Sequence, residues 1–104
     1  MTRRAFSFGS TKWPGIAKLN EECGEVTTVV GKMMNLVDID NLDHWDGTNL
    51  RDEITNEIGD VLAAIAFVLN HCSLDAETIE RRKAKKLELF ERWHVEQAEP
   101  TEEP

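Results

Sequence analysis

At 104 residues with a formal charge of −8, the chain has room for one domain and no second core. An apolar fraction of 40% beside a charged fraction of 31% is that of a globular chain, and the acidic balance excludes a nucleic-acid polymer as partner, because phosphate backbones demand a basic surface. The longest apolar run, VLAAIAFVL at 61–69, is half of the roughly 18 residues that a membrane span needs, so no membrane partner is expected.

In chain order, residues 1–13 form an irregular lead-in, 14–95 a helical domain, and 96–104 a tail. Pro14 suits a first helical position, with Ser10 or Thr11 nearby as caps. From Ile16 the apolar residues fall at 16, 19, 23, 26, 30, 33 and 37, the alternating spacing of an amphipathic helix packed in a bundle. DIDNLDHWDGTN at 38–49 breaks that pattern with turn residues and acids. A second helix is expected from Thr48 or Asn49 to about His71; its later half is apolar on nearly every side, which marks it as the central, most buried element. Ser73 reads as the N-cap of a third helix, which carries Ile79, Leu87, Phe90 and Trp93 along one side and the basic run RRKAKK at 81–86. The tail EQAEPTEEP holds four Glu and two Pro and reads as disordered, leaving −4 for the body. Nothing reads as a strand. The fold class is all-α: a small bundle of about three main helices, its four-helix-type core completed by oligomerisation. Cys23 and Cys72 match no metal or redox spacing and read as buried reduced thiols.

The stretch KLNEECGEV at 18–26 places carboxylates where the pattern asks for apolar residues. At about 100° per residue, Glu22 falls inside the sector of Val26, Val29 and Met33, with Glu25 on its margin and Glu21 further toward solvent. On the second helix Glu57 falls between Val68 and Ala64, Asp60 close to Phe67, and Glu53 precedes Glu57 by one turn. A lone buried carboxylate costs several kcal/mol unless paired or neutralised. Two such pairs on facing helices repel strongly unless a cation joins them, and a hard divalent ion with oxygen ligands, Mg2+ or Mn2+, resolves the conflict. Pairing with Lys or Arg of the third helix is the alternative. The acids at 38–46 do not make an EF-hand, since Leu42 and Asp43 occupy the places of a ligand and the Gly. Neither Glu22 nor Glu57 has a His three residues on, which excludes a ferritin-like di-iron site.

EECGE at 21–25 followed by EIGD at 57–60 resembles the EExxE…ExxD signature of the MazG-like all-α nucleoside triphosphate pyrophosphohydrolases, and the likeness covers roughly residues 12–93. The resemblance implies a helical bundle that forms a homodimer or homotetramer and cleaves a nucleoside triphosphate to the monophosphate and pyrophosphate with Mg2+. Carried over, Glu22, Glu25, Glu57 and Asp60 are the expected metal ligands. Glu21 or Glu53 is the expected proton acceptor. Lys86, then Lys83, is the expected phosphate contact, on the likeness of Lys86–Leu87 to a Lys-apolar pair in relatives. Trp13 is a candidate for stacking on the base, with Phe8, His44 and Trp45 also on irregular segments. The span from Glu25 to Glu57 is longer than usual in the family, and the surplus lies in the 38–49 loop, which puts substrate choice in question. A non-catalytic helical module that binds nucleotide or protein is the alternative function. Without a charged-then-apolar leader pattern at its start, the chain is expected in the cytoplasm.

Overall fold

The computed structural model describes residues 11–36 and 41–98, and they form three helices: α1 Ile16–Met34, α2 Leu50–His71 and α3 Ala76–Ala98. Among the described residues the one extended pairing is an isolated bridge between Asp43 and Asn49. The fold is all-α. The chain divides into two compact units after Ser73.

The first unit is an antiparallel pair of helices. Gly15, at the head of α1, lies against Phe67 and Val68 near the end of α2, and the Cys72 thiol reaches the Pro14 carbonyl at 3.5 Å. At the other end, Lys32 Nζ lies 3.9 Å from Glu53 Oε1. Val29, Leu50, Ala64, Val68 and Cys72 are buried along the seam. Leu50 is wholly covered, and burying a side chain of that size stabilises by about 1.5–3 kcal/mol.

α1 starts later than Pro14 and the hydroxyls before it lead one to expect. Gly15, not Ser10 or Thr11, takes the N-cap position, with φ 88° and no side-chain cap, and Pro14 lies just outside the helix. A left-handed cap explains the glycine: a Cβ there would stand 2.6 Å from Phe67 Cδ1. The head of α2 matches expectation, since the Asn49 side chain accepts from the Asp52 N–H at 3.2 Å. The described part of the connecting loop is a tight turn. His44 N–H donates to the Thr48 carbonyl at 2.7 Å, and Asp46 accepts from both the Thr48 N–H and hydroxyl. Those two bonds, with His44 beside it, hold the Asp46 carboxyl far below the usual range.

Two burial expectations fail within this unit. The later half of α2 is not covered all round: Leu62, Ile65 and Phe67 remain exposed, because a single partner helix can cover one face only. Cys23 is exposed, while Cys72 is buried as expected. Cys23 borders an apolar groove with Val26, Ile58, Val61 and Leu62.

The second unit is α3. Its cap is Asp75 rather than Ser73: the carboxylate accepts from the N–H groups of Glu77 and Thr78 and from the Thr78 hydroxyl, which also holds its pKa down. No residue of α3 is buried, and Leu87, Phe90 and Trp93 are each about half exposed. The helix continues to Ala98, three residues into the stretch read as tail. Phe8, Ser10, the start of the 38–49 loop and the last residues of the tail lie outside the described residues.

Candidate functional site

The register of the antiparallel pair assembles the site. From the Gly15–Phe67 contact, seven residues forward on α1 give Glu22, and seven back on α2 give Asp60; three more on each give Glu25 and Glu57. Three residues is close to one helical turn, so each helix presents its two acids on one face, and opposed helices bring the two faces together. Carboxylate oxygens of Glu22, Glu25, Glu57 and Asp60 all lie within 4.8 Å of one another.

The environment of this cluster is graded. Glu22 is buried, as its place among apolar neighbours required; Glu57 is half-buried, and Glu25 and Asp60 are exposed. Glu22 Oε2 and Glu57 Oε2 are buried without a hydrogen-bond partner. Burial, a hydrogen bond shared with Glu25, and repulsion from Glu25, Asp60 and Glu22 push the Glu57 carboxyl above the usual carboxylate range. An all-oxygen donor set with two orphaned oxygens and like-charge repulsion fits a hard divalent cation.

Lys18 stands one turn before Glu22 and was not singled out from the sequence, although the i,i+4 spacing within KLNEE was the available signal. Its ammonium lies 3.2 Å from Glu21 Oε1 and 3.5 Å from Glu22 Oε1, contacts that raise its pKa, the hydrogen bond to Glu21 foremost. Beside the cluster opens a cavity of about 320 Å³, lined by Gly15, Lys18, Glu22, Asp60, Ala63, Ala64 and Phe67. The Phe67 ring stacks on His71 at 4.2 Å, which fixes that wall.

The other expected residues are dispersed. Glu21 flanks the cluster, engaged by Lys18. Glu53 sits a turn before Glu57 but is turned to Lys32 and to the Thr48 hydroxyl. Trp13 is half exposed just ahead of α1. Trp45 and His44 border a separate cavity with Lys32, Asn35 and Leu36, at the loop end of the helix pair and away from the cavity beside the carboxylates. Within α3, Lys83 pairs with Glu80 at 3.6 Å, and Lys86 borders a surface cavity with Arg82, Lys85, Glu88, Leu89 and Arg92.

Helical hairpin and paired carboxylates together define a class that comparison identifies: the MazG nucleotide pyrophosphohydrolase domain matches residues 14–91. The chain belongs to the MazG family, whose members generally hydrolyse nucleotide pyrophosphate bonds. No curated protein and no solved structure matches it.

Proposed function

We propose that this protein hydrolyses nucleoside triphosphates, ribo- or deoxyribo-, to the monophosphate and pyrophosphate, with Mg2+ or Mn2+ held by Glu22, Glu25, Glu57 and Asp60. One observation carries the reading: four carboxylates from two helices converge within 4.8 Å, and two of their buried oxygens lack partners. A divalent ion bound there supplies charge neutralisation for the phosphates and acidity for a water. Glu21 and Glu53 flank the cluster on α1 and α2 and are the proposed acceptors of the water's proton. Trp13 is proposed to meet the base, and the basic run of α3, Lys86 and Lys83 foremost, to contribute phosphate contacts in the assembled protein.

That assembly is proposed to be a homodimer or homotetramer. The apolar groove of Cys23, Val26, Ile58, Val61 and Leu62 supports it, since contiguous apolar surface of this kind marks an interface. No helix among the described residues is long and apolar enough to cross a membrane.

Pyrophosphate release from a panel of common ribo- and deoxyribonucleoside triphosphates tests the function, with Glu22→Gln and Asp60→Asn beside the parent. Release with Mg2+ that disappears in both variants is expected, and the substrate ranking reads out the pocket. A folded protein that binds Mg2+ yet releases nothing from any triphosphate would overturn the catalytic reading in favour of a binding module.

A further inference from the structure

We propose that Lys18 binds the phosphate chain of the substrate from the wall of the cavity beside the carboxylates. The inference rests on the pyrophosphohydrolase reading and adds a residue to it. Among the described residues lining this cavity, Lys18 is the one cation; its ammonium stands beside Glu22, 3.5 Å from Oε1, and Asp60, Ala63, Ala64 and Phe67 of α2 complete the lining. Carboxylates that draw a metal ion and an ammonium that suits an anion thus line the same cavity.

The backbone adds to the attraction for an anion. Gly15, which also lines the cavity, is the N-cap of a helix of 19 residues, no side chain caps that end, and the first turn holds no acid. An N-terminus without a side-chain cap presents its positive dipole end to a phosphate, although the Ile16 N–H is taken by the Trp13 carbonyl, and the lysine adds a full charge close by.

The present partners of Lys18 do not exhaust it. An ammonium carries three donors, of which Glu21 and Glu22 take two. Its side chain is 39% exposed, so the flexible stem can swing toward an incoming oxygen. Commitment of Glu22 to a metal ion removes the more distant partner and leaves Glu21 to hold the ammonium at the rim.

Two measurements test the role. Amine acylation of the parent protein, read by mass spectrometry, compares Mg2+ alone with Mg2+ plus α,β-methylene analogues of the common triphosphates. Lys18 should be protected by an analogue that calorimetry shows to bind, and not by Mg2+ alone. In steady-state kinetics, Lys18→Gln should raise KM for the triphosphate roughly tenfold, the loss of one charge-assisted hydrogen bond, and Lys18→Arg should recover most of it. The Mg2+-induced rise in melting temperature should persist in Lys18→Gln, which removes a competing cation and no ligand. Equal acylation with and without a bound analogue, an unchanged KM, or loss of the Mg2+ effect in Lys18→Gln would each overturn the role. Parent protein that neither binds nor hydrolyses any triphosphate overturns the pyrophosphohydrolase reading itself, and Lys18 falls with it.

Discussion

Replacing Gly15 by alanine tests the contact that sets the register of the helix pair. The added Cβ would stand 2.6 Å from Phe67 Cδ1 and 3.3 Å from Val68 Cγ2. Carbon atoms rest comfortably at about 3.5–4.0 Å, so the first contact is short by about 1 Å. Phe67 has little room to retreat, because His71 stacks on its ring at 4.2 Å. Overpacking of this kind costs about 1–3 kcal/mol. The backbone adds to it: φ is 88° at Gly15, and holding a side chain there costs about 1–2 kcal/mol. Together the two give about 2–5 kcal/mol, a fall in melting temperature of about 10 °C or more for a unit of this size. Gly31→Ala is the matched control, since no atom lies within 4 Å of its Cβ position and alanine favours a helix interior by about 0.5–1 kcal/mol. Thermal unfolding followed by far-ultraviolet circular dichroism reads both. Gly15→Ala as stable as the parent, or no less stable than Gly31→Ala, would refute the packing argument.

Two further outcomes follow from the site and the seam. Because the folded state holds the Glu57 proton more tightly than the unfolded chain does, its stabilising contribution is complete at low pH and is lost as the pH rises through the raised value. Metal-free Glu57→Gln should therefore gain on the parent as pH rises, melt higher than it at neutral pH, and lose the Mg2+-induced shift; a variant no more stable than the parent at neutral pH would contradict this. Cys72 should resist iodoacetamide until denaturant is added, whereas Cys23 should react in the folded protein and more slowly as protein concentration rises. A Cys23 rate independent of concentration would count against a second copy over that groove.

Much of the hairpin was legible because helical period and acid spacing are local properties. The apolar series from Ile16 marked α1 as a helix, yet Ile16, Cys23 and Val30 of that series are exposed and the buried face runs through Glu22 and Val29. The two acid pairs three residues apart, by contrast, placed the carboxylates. The caps were harder to read. Ser73 and Asp75 are both good capping residues, and only the geometry of the chain leaving α2 selects Asp75. Gly15 took the cap of α1 because Phe67 crowds it, a contact with a residue some fifty positions away that no local pattern records. Cys23 read as buried from its helical phase, yet phase reports which side a residue occupies and not whether anything covers that side. Lys18 escaped notice for a related reason. A lysine near two glutamates reads as a solvated pair until the cavity beside it is seen.

The antiparallel register also bears on how this chain tolerates insertion and deletion. Glu25 lies nine residues before the end of α1 and Glu57 seven after the start of α2, about 14 Å and 10 Å from the loop that joins them. Residues added to or trimmed from that loop leave the four carboxylates where they are, so the connection is free to lengthen across relatives or to accept a spliced reporter. One residue deleted between Glu22 and Glu25 has the opposite effect: it turns one acid about 100° away from the other and dismantles the cluster. Evolution and engineering thus meet a permissive joint beside an intolerant core, only a few helical turns apart.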